Sequence, residues 1–320
     1  MDIRPLTLDD APAVADLMNR YERFWKLPVL TPASEVEDDF GEPFVEPERD
    51  TRGYWLEGTL VAYGLVWHRP SGAREERALL IGLVDPDYRG QGIGRHLLAW
   101  QIDQARESLA SCDPTLPWYI RTNAFDWVED EFRLYRRFGL EPVRFIKEMI
   151  RPLKAPVVPR SPDGVEIIPW DRSLDEGTRE ALNEAFGDHW GSTRMDSESF
   201  RHLIERNAIR LDLSFQAVAG GEVVGYTLNG FFPDDEQVTG RREGWVRSLG
   251  VKRAWRDRGV ASALLENSFN AFLGAGLTHT MLGVDSENPT GAYGLYEGLG
   301  YEVLHGTVIT QLEVGVAPSP

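Results

Sequence analysis

Twice in the chain an arginine is followed at fixed spacing by residues with little or no side chain. Arg89-Gly90-Gln91-Gly92-Ile93-Gly94-Arg95 and Arg256-Asp257-Arg258-Gly259-Val260-Ala261 both fit (Arg/Gln)-x-x-Gly-x-(Gly/Ala), 167 residues apart. Each stretch opens a run with helical spacing: Ile93, Leu97, Leu98, Ile102, Ala105 and Leu109 in the first, Val260, Leu264, Leu265, Phe269 and Leu273 in the second. Small residues at the start of a helix let successive backbone N–H groups approach an anion at the positive end of the helix dipole. The chemistry this suits is the cradling of a pyrophosphate. It is not the nucleotide P-loop, because no Gly-Lys-Ser/Thr follows, and Arg95 and Leu97 stand where a third glycine of Gly-x-Gly-x-x-Gly would fall.

A second pair of segments lies downstream. One runs from Asn288 through Pro289-Thr290-Gly291-Ala292-Tyr293-Gly294-Leu295 to Tyr296-Glu297-Gly298-Leu299-Gly300-Tyr301; the other is Leu134-Tyr135-Arg136-Arg137-Phe138-Gly139-Leu140, with Asn123 ahead of it. Together with the glycine turns, these segments resemble the GNAT superfamily of N-acetyltransferases, over nearly the whole chain and as two tandem copies. The order of copies and the intact second copy are similar to those of the mycothiol synthase subfamily. The resemblance implies acetyl-CoA as cosubstrate, with no metal. It implies coenzyme A binding by Arg89, Gln91, Gly92, Ile93, Gly94 and Arg95, and by Arg256, Arg258, Gly259, Val260, Ala261 and Asn288. The backbone amides near Val84 and Val251 are expected to face the thioester oxygen, and the pantetheine arm to enter between the fourth and fifth strands of a copy. Tyr296 and Tyr135 inherit the place beside the sulfur, where a phenol with an ordinary pKa near 10 can protonate a leaving thiolate. The spacing from Asn288 to Tyr296 is 8 and from Asn123 to Tyr135 it is 12, about one helical turn more, which displaces Asn123 and favours the second copy for chemistry. An isolated tyrosine ahead of a helix-ending glycine is otherwise a core aromatic.

The general base is open at this point. Positions where some relatives carry a glutamate hold Ala78 and Trp245, which accept no proton. Glu243, read as solvated, His189 in Asp188-His189-Trp190, read as a surface or capping residue, and a chain of waters are the candidates. The six histidines form no H-x-x-x-H pair or local Cys/His cluster, and no Gly-x-Ser-x-Gly elbow exists. From Glu35 to Asp50 eight acids face one base, Arg49, which reads as a solvated acidic loop or as a funnel for a cationic amine acceptor.

The elements that must position these residues repeat as well. The chain has 320 residues, 42% hydrophobic, enough for two cores. Ile3-Arg4-Pro5-Leu6 and Ile167-Ile168-Pro169-Trp170 open the two copies. Hairpins are expected at 60–67 with 78–84 and at 223–231 with 245–251, and further strands near 118–121 and 280–284, each followed by a helix and a closing strand. The fold class is α+β, two tandem GNAT folds, each a mixed, mostly antiparallel twisted sheet flanked by helices. Residues 1–151 form the first domain and 163–320 the second, joined by the linker 152–162 with its four prolines. A net charge of −17 argues against nucleic acid as a partner. A single cysteine, Cys112, points to the cytoplasm, and neither a signal peptide nor a membrane span is evident. The expected activity is transfer of acetyl to a primary amine of a small molecule. The alternative is a coenzyme A-binding sensor or docking protein with one or both copies inactive.

Overall fold

The computed structural model describes residues 1–70, 74–187, 189–287 and 292–315. It separates into two units: Met1–Phe145 with the chain from Gly306 onward, and Ile146–His305.

The first unit carries β1 (Asp2–Arg4), α1 (Ala11–Trp25), α2 (Ala33–Phe40), α3 (Pro47–Asp50), β2 (Thr51–Leu56), β3 (Thr59–His68), β4 (Glu76–Val84), α4 (Ile93–Leu109), β5 (Trp118–Phe125) and α5 (Glu129–Arg137). Its strands run in the order β1-β2-β3-β4-β5, antiparallel except for the parallel pair β4 and β5. The apolar run Leu60 to Val66 is buried along its whole length, which suits a central strand covered on both faces. Leu60, Tyr63 and Leu65 pack with Val14 and Leu17 of α1 and Val36 and Phe40 of α2, while Val61 and Ala62 pack with Ile93 and Leu97 of α4. Each such side chain contributes about 1.5–3 kcal/mol of burial. The stretch Glu35–Asp50 is therefore largely helical, with an apolar face, rather than a solvated loop. Asp50 is buried and holds the Arg49 guanidinium at 2.7 and 2.8 Å.

Next in sequence come β6 (Glu141–Pro152), β7 (Glu166–Pro169), α6 (Asp175–Ala185), α7 (Ser197–Glu205), β8 (Phe215–Ala219), β9 (Glu222–Phe231), α8 (Glu236–Thr239), β10 (Glu243–Val251), α9 (Val260–Gly274), β11 (His279–Asp285), α10 (Ala292–Gly298) and β12 (Glu302–Glu313). The second unit repeats the first unit's plan, with order β7-β8-β9-β10-β11 and one parallel pair, β10 with β11. Both hairpins fall where the hydrophobic runs place them. The proline-rich 152–162 segment lies along α9: Val157 N–H donates to Asn270 Oδ1 and receives the Asn270 amide on its carbonyl, both at 2.9 Å, and Arg160 N–H donates to Glu266 at 2.7 Å.

The units differ from the contiguous halves 1–151 and 163–320 in one respect. Residues 307–313 of β12 pair with β5 and complete the first sheet, whereas residues 146–152 of β6 pair with β11 and complete the second. Each closing strand thus belongs to the unit built from the other half of the sequence. The reason lies in the repetition itself: β6 and β12 each follow a helix and a glycine in left-handed conformation, Gly139 and Gly300, and this local pattern does not say which of two similar sheets a strand joins. Among the described residues, no helix is long and apolar enough to cross a membrane.

A fragment ending at residue 151 lacks 306–313 and leaves the edge of β5 away from β4 unpaired, with Val308 and Leu312 missing from the cluster around Ile120, Phe132 and Leu140. It should aggregate or melt without cooperativity. Residues 1–145 fused through a flexible linker to 304–315 should be soluble and melt cooperatively by circular dichroism. Equal behaviour of the two fragments would contradict this strand assignment.

Candidate functional site

The site in the first unit begins where two strands part. β4 pairs with β5 from Glu76 opposite Trp118 to Leu79 opposite Arg121, while its pairing with β3 continues to Val84. The Thr122 hydroxyl donates to the Leu80 carbonyl at 2.9 Å across the start of the gap. Beyond it lies a cavity of 590 Å³, walled by Leu80, Gly82 and Val84 of β4, by Thr122, and by side chains of α1 and α5. The second unit shows the same parting: β10 and β11 pair from Glu243 to Val246, and β10 continues along β9 to Val251.

The glycine turns end at this gap. Gly92 (φ 87°) caps α4 and Gly259 (φ 81°) caps α9, each in the left-handed region that disfavours any Cβ. Two residues earlier, Gly90 (φ 76°) and Asp257 (φ 59°) also take positive φ, so the turn has one shape in both copies. The first N–H groups of each helix, from Ile93, Gly94 and Arg95 or from Val260 and Ala261, have no carbonyl of their own helix to reach and project from its N-terminus. Gly94 lies beside the gap, where an added Cβ would come 3.5 Å from Val84.

The motif arginines have separate work. Arg89 stacks over Phe24 and Trp25, at 5.3 and 5.0 Å, and pairs with Asp130. Arg256 donates to the carbonyls of Val251 (3.2 Å) and Ala185 (2.9 Å), and Arg258 lies 5.0 Å over the Trp255 ring. Both first arginines therefore brace the turn, and Arg89 also lines the cavity. Gln91 is exposed on the turn. In the first unit Arg95, Arg133 and Arg137 also line the cavity, an unusual density of cations in so acidic a chain.

Two tyrosines and a carboxyl meet in that cavity. Tyr135 Oη donates to Glu131 Oε2 at 3.1 Å, and Tyr21 of α1 donates to Glu131 Oε1. All three line the cavity. Burial pushes the Glu131 carboxyl up to about 7, against the opposing effect of the two phenols that donate to it. Burial, with Glu131 beside it, raises Tyr135 well above the ordinary phenol value. Glu131 and Tyr21 went unnoticed in the sequence. The available signal was spacing: Glu131 precedes Tyr135 by four residues, one turn on the same helix face, whereas Ala292 holds that place before Tyr296.

In the second unit Tyr296 is buried edge-on against Tyr301, ring centres 6.0 Å apart, and burial pushes it up to about 12. Asn288 lies outside the described residues, as does Asp188. Asn123 is exposed on β5 opposite Ile309, and Thr122 faces the cavity in its stead. Glu243 is not solvated: it starts β10, at the end away from Val251, where it is buried and paired with Arg241. His189 packs edge-on against Phe186 with Nδ1 3.2 Å from the Trp190 carbonyl.

Comparison with known proteins agrees with this geometry. A mycothiol acetyltransferase from Thermobispora bispora is 29% identical over 221 residues, 68% of this chain and 70% of that protein. The crystal structure of a GCN5-related N-acetyltransferase from Sphaerobacter thermophilus superposes with a TM-score of 0.76 at 27% identity, covering 100% of this chain and 96% of that one. A tandem GNAT protein from the clavulanic acid biosynthesis pathway shares the fold, with a TM-score of 0.74 at 15% identity over 100% of this chain and 99% of that one. The model of the acetyltransferase (GNAT) family matches residues 14–139 and again 176–301, so the chain belongs to that family, as a tandem member with two copies of its fold.

Proposed function

We propose that the chain transfers the acetyl group of acetyl-coenzyme A to a primary amine of a small molecule, and that the cavity of the N-terminal unit is where the transfer occurs. The observation that carries this reading is the convergence of a helix N-terminus, arginines and a Tyr–Glu–Tyr cluster on one cavity. The donor set suits the cosubstrate: backbone N–H groups and Arg95, Arg133 and Arg137 match an anionic pyrophosphate, and the parted strands match a linear amide-bearing arm. A mycothiol acetyltransferase among the relatives supports a small-molecule acceptor. The half-buried Cys112, free of any disulfide, suits the reducing cytoplasm.

Acetyl transfer forms a C–N bond and breaks a C–S bond, so the amine must lose one proton and the sulfur must gain one. In this reading Glu131, as carboxylate, accepts the amine proton. Tyr135 gives its phenolic proton to the departing sulfur and regains one from Glu131 through their hydrogen bond, so both groups end as they began. Burial weakens both tyrosines as acids, Tyr296 to about 12 and Tyr135 well above the ordinary phenol value, and of the two only Tyr135 has a carboxyl, pushed up to about 7, hydrogen-bonded to it to return its proton. The second reading, with the chemistry at Tyr296, is favoured by its eight-residue spacing from Asn288 and by a hydroxyl that no described residue engages.

Four measurements test the proposal. Because ionised Glu131 is the working form, kcat/KM should rise with pH through about 7, and Glu131→Gln should lose that limb along with roughly 10²–10⁴-fold of turnover. Tyr135→Phe should lose a similar factor and Tyr296→Phe less than about tenfold; the opposite ranking would move the chemistry to the second copy. Gly92→Val, a Cβ at φ 87°, should weaken coenzyme A binding in titration calorimetry by more than about tenfold. A raised carboxyl also binds its proton more tightly folded than unfolded, so Glu131 costs stability as pH rises from about 4.5 to about 7. Glu131→Gln should therefore be more stable than the wild type in denaturant unfolding at pH 8, by about 1–3 kcal/mol, while being nearly inactive.

A further inference from the structure

We propose that His68, Glu76 and Cys112 form a zinc site in the first unit, separate from the acyl-transfer cavity. His68 ends β3, Glu76 begins β4 and Cys112 sits in the turn after α4, where its N–H donates to the Leu109 carbonyl at 2.9 Å. The sequence offers no hint, because the three donors come from separate elements, 8 and 36 residues apart. In the fold, Cys112 Sγ is 3.3 Å from His68 Nε2, Glu76 Oε2 is 4.0 Å from the same nitrogen, and all three donor atoms lie within 4.8 Å of one another. A tetrahedral ion with bonds of about 2.0–2.3 Å holds its ligands roughly 3.3–3.8 Å apart, so small side-chain adjustments close the set.

The donor types select the metal. A thiolate and an imidazole beside one carboxylate suit zinc and disfavour magnesium or calcium, which take oxygen. The charges close as well: thiolate and carboxylate together neutralise a divalent ion, while the imidazole binds neutral. Binding replaces the thiol proton, which leaves to solvent. His68 and Glu76 are buried or nearly so and Cys112 is half-buried, so the fourth position opens toward Cys112 and a water. Such an ion would fasten the C-terminal end of α4 to the β3–β4 hairpin, and the same helix carries the glycine cradle at its other end.

The test uses the full chain, stripped with a chelator and titrated with zinc or cobalt alone. The expected result is one equivalent bound per chain, a thiolate-to-cobalt charge-transfer band, and a melting temperature that rises with zinc. Cys112→Ser should abolish the band, and both Cys112→Ser and His68→Ala should weaken binding by more than about tenfold while the circular dichroism spectrum is kept. Failure of the wild type to bind zinc at micromolar concentration would overturn the proposal, as would unchanged binding by both variants.

Discussion

β4 and β5 run together for four residue pairs and then separate, and the cavity of the N-terminal unit depends on that separation. A strand that leaves its neighbour inside a protein exposes backbone N–H and C=O groups that must find other partners. Two carbonyls of β4 are met from within: Thr122 donates to Leu80, and the buried Gln101 of α4 donates to Ile81 at 2.8 Å, as it does to Leu65 of β3 at 3.2 Å. The strand beyond them lines the cavity. The left-handed Gly92 then directs α4 so that its N-terminus faces the same opening, and α5 closes the other side with Tyr135 and Glu131.

The second copy keeps the frame and changes what fills it. Its turn reproduces the positive φ at two positions although one residue is an aspartate, and its strands part at the equivalent point. Arg256 is tied to backbone carbonyls where Arg89 rests on aromatic rings and an aspartate, and no carboxyl stands one turn before Tyr296. A duplicated fold thus presents two similar gaps lined by different side chains, as expected when side chains change on a retained scaffold.

Much of this was legible in the residues. Glycine in a turn before a helix specifies backbone geometry, and apolar periodicity specifies hairpins and helix faces, so the two left-handed glycine turns, the hairpins and the helices that follow the turns were legible from local pattern. What local pattern does not encode is choice among similar partners, which is why the exchange of β6 and β12 was not foreseen. Nor does it encode which charged side chain a fold buries: Glu243 and Glu131 look alike in sequence, yet one ends in an ion pair far from the gap and the other in the cavity between two phenols. The four residues that lengthen the interval from Asn123 to Tyr135 looked like a defect in the first copy. In the fold, Glu131 stands one turn before Tyr135 on α5, at the place that Ala292 takes before Tyr296 on α10.

The most direct test of the account is the position of the sulfur. A crystal structure of the full chain with a non-hydrolysable thioether analogue of acetyl-coenzyme A should show the sulfur within hydrogen-bonding reach of Tyr135 Oη, with the pyrophosphate on the N-terminus of α4. An analogue seated only beside Tyr296, with the cavity of the first unit empty, would contradict it.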